Sequence, residues 1–310
     1  MDNFMYGDTV DILLASYNGA DYIAAQIQSI QRQDYKNWRL LISDDCSSDD
    51  TLNIIKKYSE DDDRIVIVSS GKKFGSACSN FISMLKYAKN KFVFFCDQDD
   101  VWLPDKISSF IAKAQENNSD KPLLLYSDLI VTDESLNEIS PSYYDYMKID
   151  YAQTDLNQLL AQNVVTGCAM MVNQALIQLV RGRIDPKRIV MHDWMLALVA
   201  STCGCIEYVR KPYNLYRQHG DNSVGASKYN IISLLLKDNR RSIEGSISQA
   251  KILLDNFHER MTAEQISMLE EYVSIPERNR LCRVLTLFKY KIFKGNLSRL
   301  LGQIFFIFIL

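Results

Sequence analysis

Two periodicities alternate along residues 10–116, and that alternation fixes the class of fold. The apolar runs VDILLAS (10–16), WRLLISDD (38–45), RIVIVSS (64–70) and KFVFFCD (91–97) have strand length and stop at polar residues. Between them the spacing becomes helical. Ile23, Ile27 and Ile30 share a face after Asp21; Leu52, Ile54 and Ile55 follow Asp49 and Asp50; Phe81, Met84, Leu85 and Ala88 follow Ser76. Asp105 to Glu116 reads as a further helix. Strands that are apolar almost throughout are covered on both faces, and strands alternating with helices of this length build βαβ units. The expected fold class is therefore α/β: a Rossmann-like, mostly parallel sheet flanked by helices.

The regularity fades afterwards. LLLYSDLIVTD (123–133) reads as a strand with a bend, CAMMVN (168–173) as a short apolar segment, DWMLALVAST (193–202) as a helix, and CIEYV and NLYRQH as strands. Beyond Ser227 the pattern is helical, so residues 1–227 are expected to form a catalytic domain and 228–310 a helical extension. A chain of 310 residues that is 47% hydrophobic has core enough for this arrangement. A net charge of −3 argues against a nucleic-acid partner. Seven scattered cysteines without a CxxC pair argue for reduced thiols in a cytoplasmic protein. The N-terminus lacks the pattern of a signal peptide, and no stretch reaches the roughly 18 apolar residues of a spanning helix.

In an open parallel sheet, ligands bind beyond the carboxyl ends of the strands. Three of those ends carry polar clusters: Ser16-Tyr17-Asn18-Gly19, Asp44-Asp45-Cys46-Ser47-Ser48-Asp49, and Asp97-Gln98-Asp99-Asp100. Carboxylates packed this closely repel, and a divalent cation relieves them. Oxygen donors favour Mg²⁺ or Mn²⁺, shared with substrate phosphates. Asp44 and Asp45 precede the helix start too early to cap it. A carboxylate there is placed to accept the imide N–H of uracil or thymine, and either residue fits. Tyr17 packs either on the base or sugar, or on the core.

ILLASYNGADYIAAQIQSI, LLISDDCSSDDT, KKFGSACSNF and FFCDQDDVWLPDKI together resemble the family 2 glycosyltransferases of the GT-A fold, over residues 9 to 225 and in the family's order. DQDDVWLPDKI is similar to the bacterial rhamnosyltransferase-type subgroup that builds surface polysaccharide. The resemblance implies a nucleoside-diphosphate sugar donor, dTDP-rhamnose first and a UDP-sugar second, with a divalent metal and inversion at the anomeric carbon. It assigns Ser16, Tyr17 and Asn18 to the nucleotide, Asp44 or Asp45 to the base, Lys72, Lys73 and Gly75 to the nucleotide's surroundings, and Asp97 and Asp99 to the metal.

Inversion needs a base opposite the leaving diphosphate. The resemblance places it at Asp193, in VMHDWMLAL, where the family's preceding acidic residue is replaced by His192. Trp194 either stacks on acceptor sugar or packs internally. NVVTGCAMMVN resembles the segment shaping the acceptor pocket, with Gly167 permitting close backbone approach. In YRQHGDNSVG, Arg217 is a phosphate partner, and His219 ligates the metal or bonds the diphosphate. The alternatives to transfer are a nucleotidyltransferase, disfavoured because YNGADY carries no basic residue, and a non-catalytic nucleotide-sugar-binding protein.

From Arg278 onward there is no Asp or Glu, but seven basic residues: Arg278, Arg280, Arg283, Lys289, Lys291, Lys294 and Arg299. With the apolar residues among them, this segment either lies on an anionic membrane beside a lipid-linked glycan acceptor, docks on the domain, or forms a homodimer.

Overall fold

The computed structural model describes residues 9–117, 120–220 and 239–310. The expected domain boundary at 227/228 lies outside the described residues.

The four expected strands form as β1 (Val10–Ser16), β2 (Trp38–Asp44), β3 (Ile65–Ser69) and β4 (Phe92–Asp97). Helices α1 (Ile23–Gln31), α2 (Thr51–Asp61) and α3 (Ala77–Met84) connect them. Ile23, Ile27 and Ile30 of α1 are fully buried, each contributing about 1.5–3 kcal/mol of transfer free energy. Ser76 caps α3 by accepting from Ser79 N. Asp21 does not cap α1, whose first turn is preceded by Tyr22 with no side-chain cap.

After β4 come the short β5 (Val101–Trp102) and α4 (Lys106–Gln115). The bent strand expected over 123–133 is two strands, β6 (Leu123–Ser127) and β7 (Ile130–Thr132). Asp128 sits at the break, and its Oδ1 accepts from Leu129 N at 2.8 Å and Tyr143 N at 2.9 Å. That satisfies backbone donors where the chain leaves one sheet for another. Then follow β8 (Glu138–Ser140), α5 (Tyr143–Met147), α6 (Leu156–Ala161), β9 (Met170–Asn173), α7 (Gln174–Val180), α8 (His192–Cys203), β10 (Cys205–Val209) and β11 (Asn214–Arg217).

The main sheet has seven strands in the order β10-β6-β9-β4-β1-β2-β3. All neighbours are parallel except β9, which runs antiparallel to both β4 and β6. A second sheet, β5-β11-β7-β8, lies beyond the end of β4. The C-terminal helices are α9 (Asn239–Phe257), α10 (Ala263–Val273), α11 (Arg280–Tyr290) and α12 (Leu297–Ile309). Leu253, Leu269, Leu287 and Ile307 belong to the same buried cluster as Leu13, Leu41 and Trp194, so these helices share the core of the catalytic sheet.

Candidate active site

Strand register brings the polar ends together. Ser16 pairs with Asp44 and Ala15 with Asp97, so β1, β2 and β4 stop at one edge. Because β9 is antiparallel, its start faces the same edge, with Phe94 opposite Met171. Gly167 and Cys168, just before β9, therefore arrive beside Asp97.

The ends of β1 and β2 carry a set of cross-linked loops. Asp44 accepts from Ser16 Oγ at 3.2 Å, Ser47 N at 2.9 Å and Ser47 Oγ at 2.5 Å. Asp45 accepts from Phe74 N and, at 2.9 Å, from Gly75 N, strapping the 71–76 loop to the end of β2. Lys72 and Lys73 are exposed on that loop. Asn18 has φ +46°, its N–H reaches Ser47 Oγ at 2.9 Å, and its Oδ1 accepts from Ser48 N at 2.8 Å. Tyr17 is 51% exposed, its ring open to a ligand. Its backbone is held on both sides by Gln98, whose Oε1 accepts from Tyr17 N and whose Nε2 donates to Tyr17 O, each at 2.9 Å. A Cβ on Gly19 would stand 2.3 Å from the Gln98 carboxamide, so this packing requires glycine there.

Asp97, Asp99 and Asp100 face different partners. Burial, then Asp99, Asp100 and Asp193, raise the Asp97 carboxyl well above the usual range, and Lys106 offsets only part of this. Asp100 is buried and bonded to Arg217 N at 3.2 Å and Asn214 Nδ2 at 3.4 Å; burial and Asp99 push it up to about 7. His219 Nε2 lies 2.9 Å from Asp99 Oδ2. Among the described residues, the ligand atoms gathered within 4.8 Å belong to Asp97, Asp100 and Cys168, a group that does not include Asp99 or His219. Burial keeps the Cys168 thiol protonated, and its proton serves Asp100. The oxygen donors gathered in that group are the carboxylates of Asp97 and Asp100, while Asp99 is engaged by His219. Arg217 donates through Nε to Asp99 O at 2.8 Å and through Nη1 to Glu134 O, fixing the loop after Asp97.

At the start of α8, the N-cap is Met191, and Asp193 lies in the first turn. Asp193 Oδ2 accepts from Gly167 N at 3.0 Å and Oδ1 from Trp194 N at 2.5 Å. These bonds favour the carboxylate, yet burial outweighs them and lifts the group to about 7. Gly167 is packed against the neighbouring ring: a Cβ there would lie 2.9 Å from His192 Nε2. His192 is buried between Phe81 and Phe95, at centroid distances of 4.3 and 5.3 Å, and burial lowers it to about 3. Trp194 is 6% exposed and donates to Leu159 O at 2.7 Å. Stacking on an acceptor sugar needs an open ring face. Neither His192 nor Trp194 has one, so both hold α8 in place behind Asp193.

A family model described as glycosyl transferase family 2 matches residues 11–179. The chain is also 32% identical to the dTDP-rhamnosyl transferase RfbG of Shigella flexneri over 228 residues, covering 69% of this chain and 74% of that one. The chain belongs to glycosyl transferase family 2. This transferase is also 33% identical to an Escherichia coli enzyme, the UDP-Glc:alpha-D-GlcNAc-diphosphoundecaprenol beta-1,3-glucosyltransferase WfgD, over 56% of this chain and 61% of that one. Its fold matches S. aureus TarS at a TM-score of 0.59 with 17% identity, covering 86% of this chain and 70% of that one. A mannosyltransferase from Pyrobaculum calidifontis, in complex with GDP-Man and Mn²⁺, matches at a TM-score of 0.54 with 12% identity, covering 99% of this chain and 86% of that one. These likenesses agree with the GT-A fold expected from the motifs.

Asn214 and Glu134, which help to organise the transferase's site, are recognised only through their partners, and the place of Gln98 in the polar cluster does not reveal its grip on Tyr17. Lys106 is completely buried, donating to Cys168 O at 2.7 Å and Asn214 Oδ1 at 2.8 Å, with its ammonium 3.8 Å from the Trp102 ring centroid. Burial lowers it to about 8. The one hint is a lysine inside the apolar frame of VWLPDKISSF.

Proposed function

We propose that this glycosyltransferase moves a sugar, rhamnose first among candidates, from a nucleoside-diphosphate donor to a hydroxyl of a lipid-linked cell-surface glycan, with inversion. The observation that carries this reading is Asp193: a carboxylate of raised proton affinity, hydrogen-bonded to Gly167 N, on the sheet edge where Asp97 ends β4. A base titrating near 7 accepts a proton at neutral pH and is regenerated readily.

In the proposed reaction the acceptor oxygen attacks the anomeric carbon while its proton passes to Asp193. The bond from that carbon to the β-phosphate oxygen breaks, and the nucleoside diphosphate leaves with the electron pair. Asp97 and Asp99 would hold Mg²⁺ or Mn²⁺, which when bound neutralises charge developing on that leaving group. Ser16, Tyr17 and Asn18 with Asp44 or Asp45 form the nucleotide cradle, and the 72–75 segment is held to it through Asp45. Arg217 and His219 orient the Asp99 loop. The rhamnosyl reading rests on the similarity to RfbG, and the lipid-linked acceptor on the diphosphoundecaprenol in the name of WfgD. Such acceptors lie at the cytoplasmic leaflet, where this protein is expected to work.

The test is donor binding and slow donor hydrolysis over thymidine and uridine diphosphate sugars, each with Mn²⁺, Mg²⁺ or chelator. One donor stabilising the protein only with metal and releasing nucleoside diphosphate supports the reading. Release of pyrophosphate means nucleotidyl transfer. Binding without turnover, even with acceptor supplied, means a non-catalytic protein.

A further inference from the structure

The outer faces of α11 and α12 are built unlike the rest of the surface. On α11, Leu281, Leu285 and Phe288 follow each other at helical spacing and are 71%, 62% and 55% exposed. On α12, Leu297, Leu301 and Phe305 repeat at intervals of four, also exposed. Ser298 is the only polar residue among the exposed positions of α12. The two stripes are neighbours, since the Arg280 guanidinium lies 5.6 Å from the Phe308 ring centroid. Arg278, Arg280 and Arg283 line an open hollow of about 740 Å³ together with Leu281 and Ile309. Contiguous apolar surface rimmed by polar groups marks an interaction site.

We propose that this face docks on an anionic lipid bilayer, with both helices lying in the plane of the interface. The charge pattern selects this occupant over a second copy. Residues 278–310 carry seven basic side chains and no acidic one. Arg278 and Lys289 pair with Glu271, Lys294 is largely buried and Arg299 turns inward to Met147 O. Arg280, Arg283 and Lys291 remain at the surface, so a two-fold contact between copies would set like charge against like. An anionic leaflet complements the same charges. Neither helix is long enough to cross: α12 has 13 residues, and no helix among the described residues qualifies as a span.

The position of this face relative to the acceptor side fits a membrane-borne substrate, and here the inference rests on the lipid-linked reading above. Arg299 of α12 donates to Met147 O at 2.9 Å, tying α12 to α5. Tyr143, at the other end of α5, is within electrostatic reach of both Arg299 and Asp193. Helix α5 is thus tied to the inner side of α12.

The test is sedimentation of the full chain with phosphatidylcholine vesicles, with and without phosphatidylglycerol. The expected result is at least tenfold tighter partitioning onto the anionic vesicles, since each basic residue near the surface contributes roughly fivefold, and loss of that advantage in high salt. The double variant Leu301→Gln, Phe305→Gln should partition at least about tenfold more weakly at unchanged thermal stability. No binding by the parent chain, equal binding by the variant, or light scattering that shows a dimer broken by the variant would each overturn the proposal. Donor hydrolysis measured without vesicles keeps the two readings apart. Hydrolysis without vesicle binding sinks only the docking face, and vesicle binding without hydrolysis sinks only the transferase reading.

Discussion

Replacing Asp193 with Asn separates chemistry from stability at one atom. The folded protein holds the Asp193 proton at about 7, against an ordinary value of 3.8, because burial disfavours the charge. That difference corresponds to about 4 kcal/mol at about 1.4 kcal/mol per tenfold. The sign follows from linkage. The folded state binds this proton more tightly than the unfolded chain, so ionisation opposes folding. The penalty is absent below about pH 4, grows between about pH 4 and 7, and is complete above about pH 7. Asn carries no charge, and its carbonyl keeps only one of the two N–H partners, Gly167 or Trp194, at a loss of about 1 kcal/mol. Asp193→Asn is therefore expected to be about 2–3 kcal/mol more stable than the parent near pH 8 and no more stable near pH 4. Its transfer rate should fall by at least about 100-fold, with donor affinity within a factor of about two, because an amide accepts no proton. In the parent, kcat/KM should fall tenfold per pH unit below about 7. Denaturant melts across pH, single-turnover transfer and donor titration measure all three. A variant that keeps full transfer activity refutes the base assignment. One that is destabilised equally at both pH values refutes the burial argument.

The other expectations concern the supporting shell. Asp45→Ala removes the acceptor for Phe74 N and Gly75 N; donor KM should rise at least about tenfold with a stability loss of about 1–3 kcal/mol, read by kinetics and melting. Gly19→Ala displaces the Gln98 carboxamide from the Tyr17 backbone; donor affinity should fall several-fold for about 1 kcal/mol of stability, and unchanged titration calorimetry would show the clamp to be idle. Neither ring nitrogen of His192 has a hydrogen-bond partner among the described residues, so His192→Phe should match or exceed parental stability by about 1 kcal/mol and keep transfer within about threefold; a collapse in rate would return this side chain to the chemistry. Chelation should abolish donor-dependent thermal stabilisation, with Mn²⁺ or Mg²⁺ restoring it, while Asp97→Asn resists rescue.

What could be read from the chain followed from local physics. Buried parallel strands need continuous apolar runs, and β1 to β4 appear where those runs lie, within a residue or so at each end. A run that stops at a carboxylate marks the sheet edge, so Ser16, Asp44 and Asp97 were legible before any coordinate. The reversal of β9 was not. It is four residues long, and its direction is decided by pairing with β4 and β6 across a long stretch of chain. The face of Trp194 was also illegible. Helix α8 buries nine of its twelve residues, so its pattern has no polar side from which a direction could be inferred. The aspartate cluster was legible as composition but its partners were not, because Asp100 is held by Asn214 and the Arg217 backbone, more than a hundred residues later.

Periodicity and charge are properties of neighbours along the chain, so the α/β class, the polar strand ends and the basic, acid-free character of residues 278–310 are written in the order of residues. Tertiary structure alone decided that Gly167 meets Asp193, that Gln98 grips Tyr17 and that Lys106 sits behind the carboxylates. Those contacts are made by burial and hydrogen bonding between distant segments, and the proton affinity of Asp193 exists only once they exclude water.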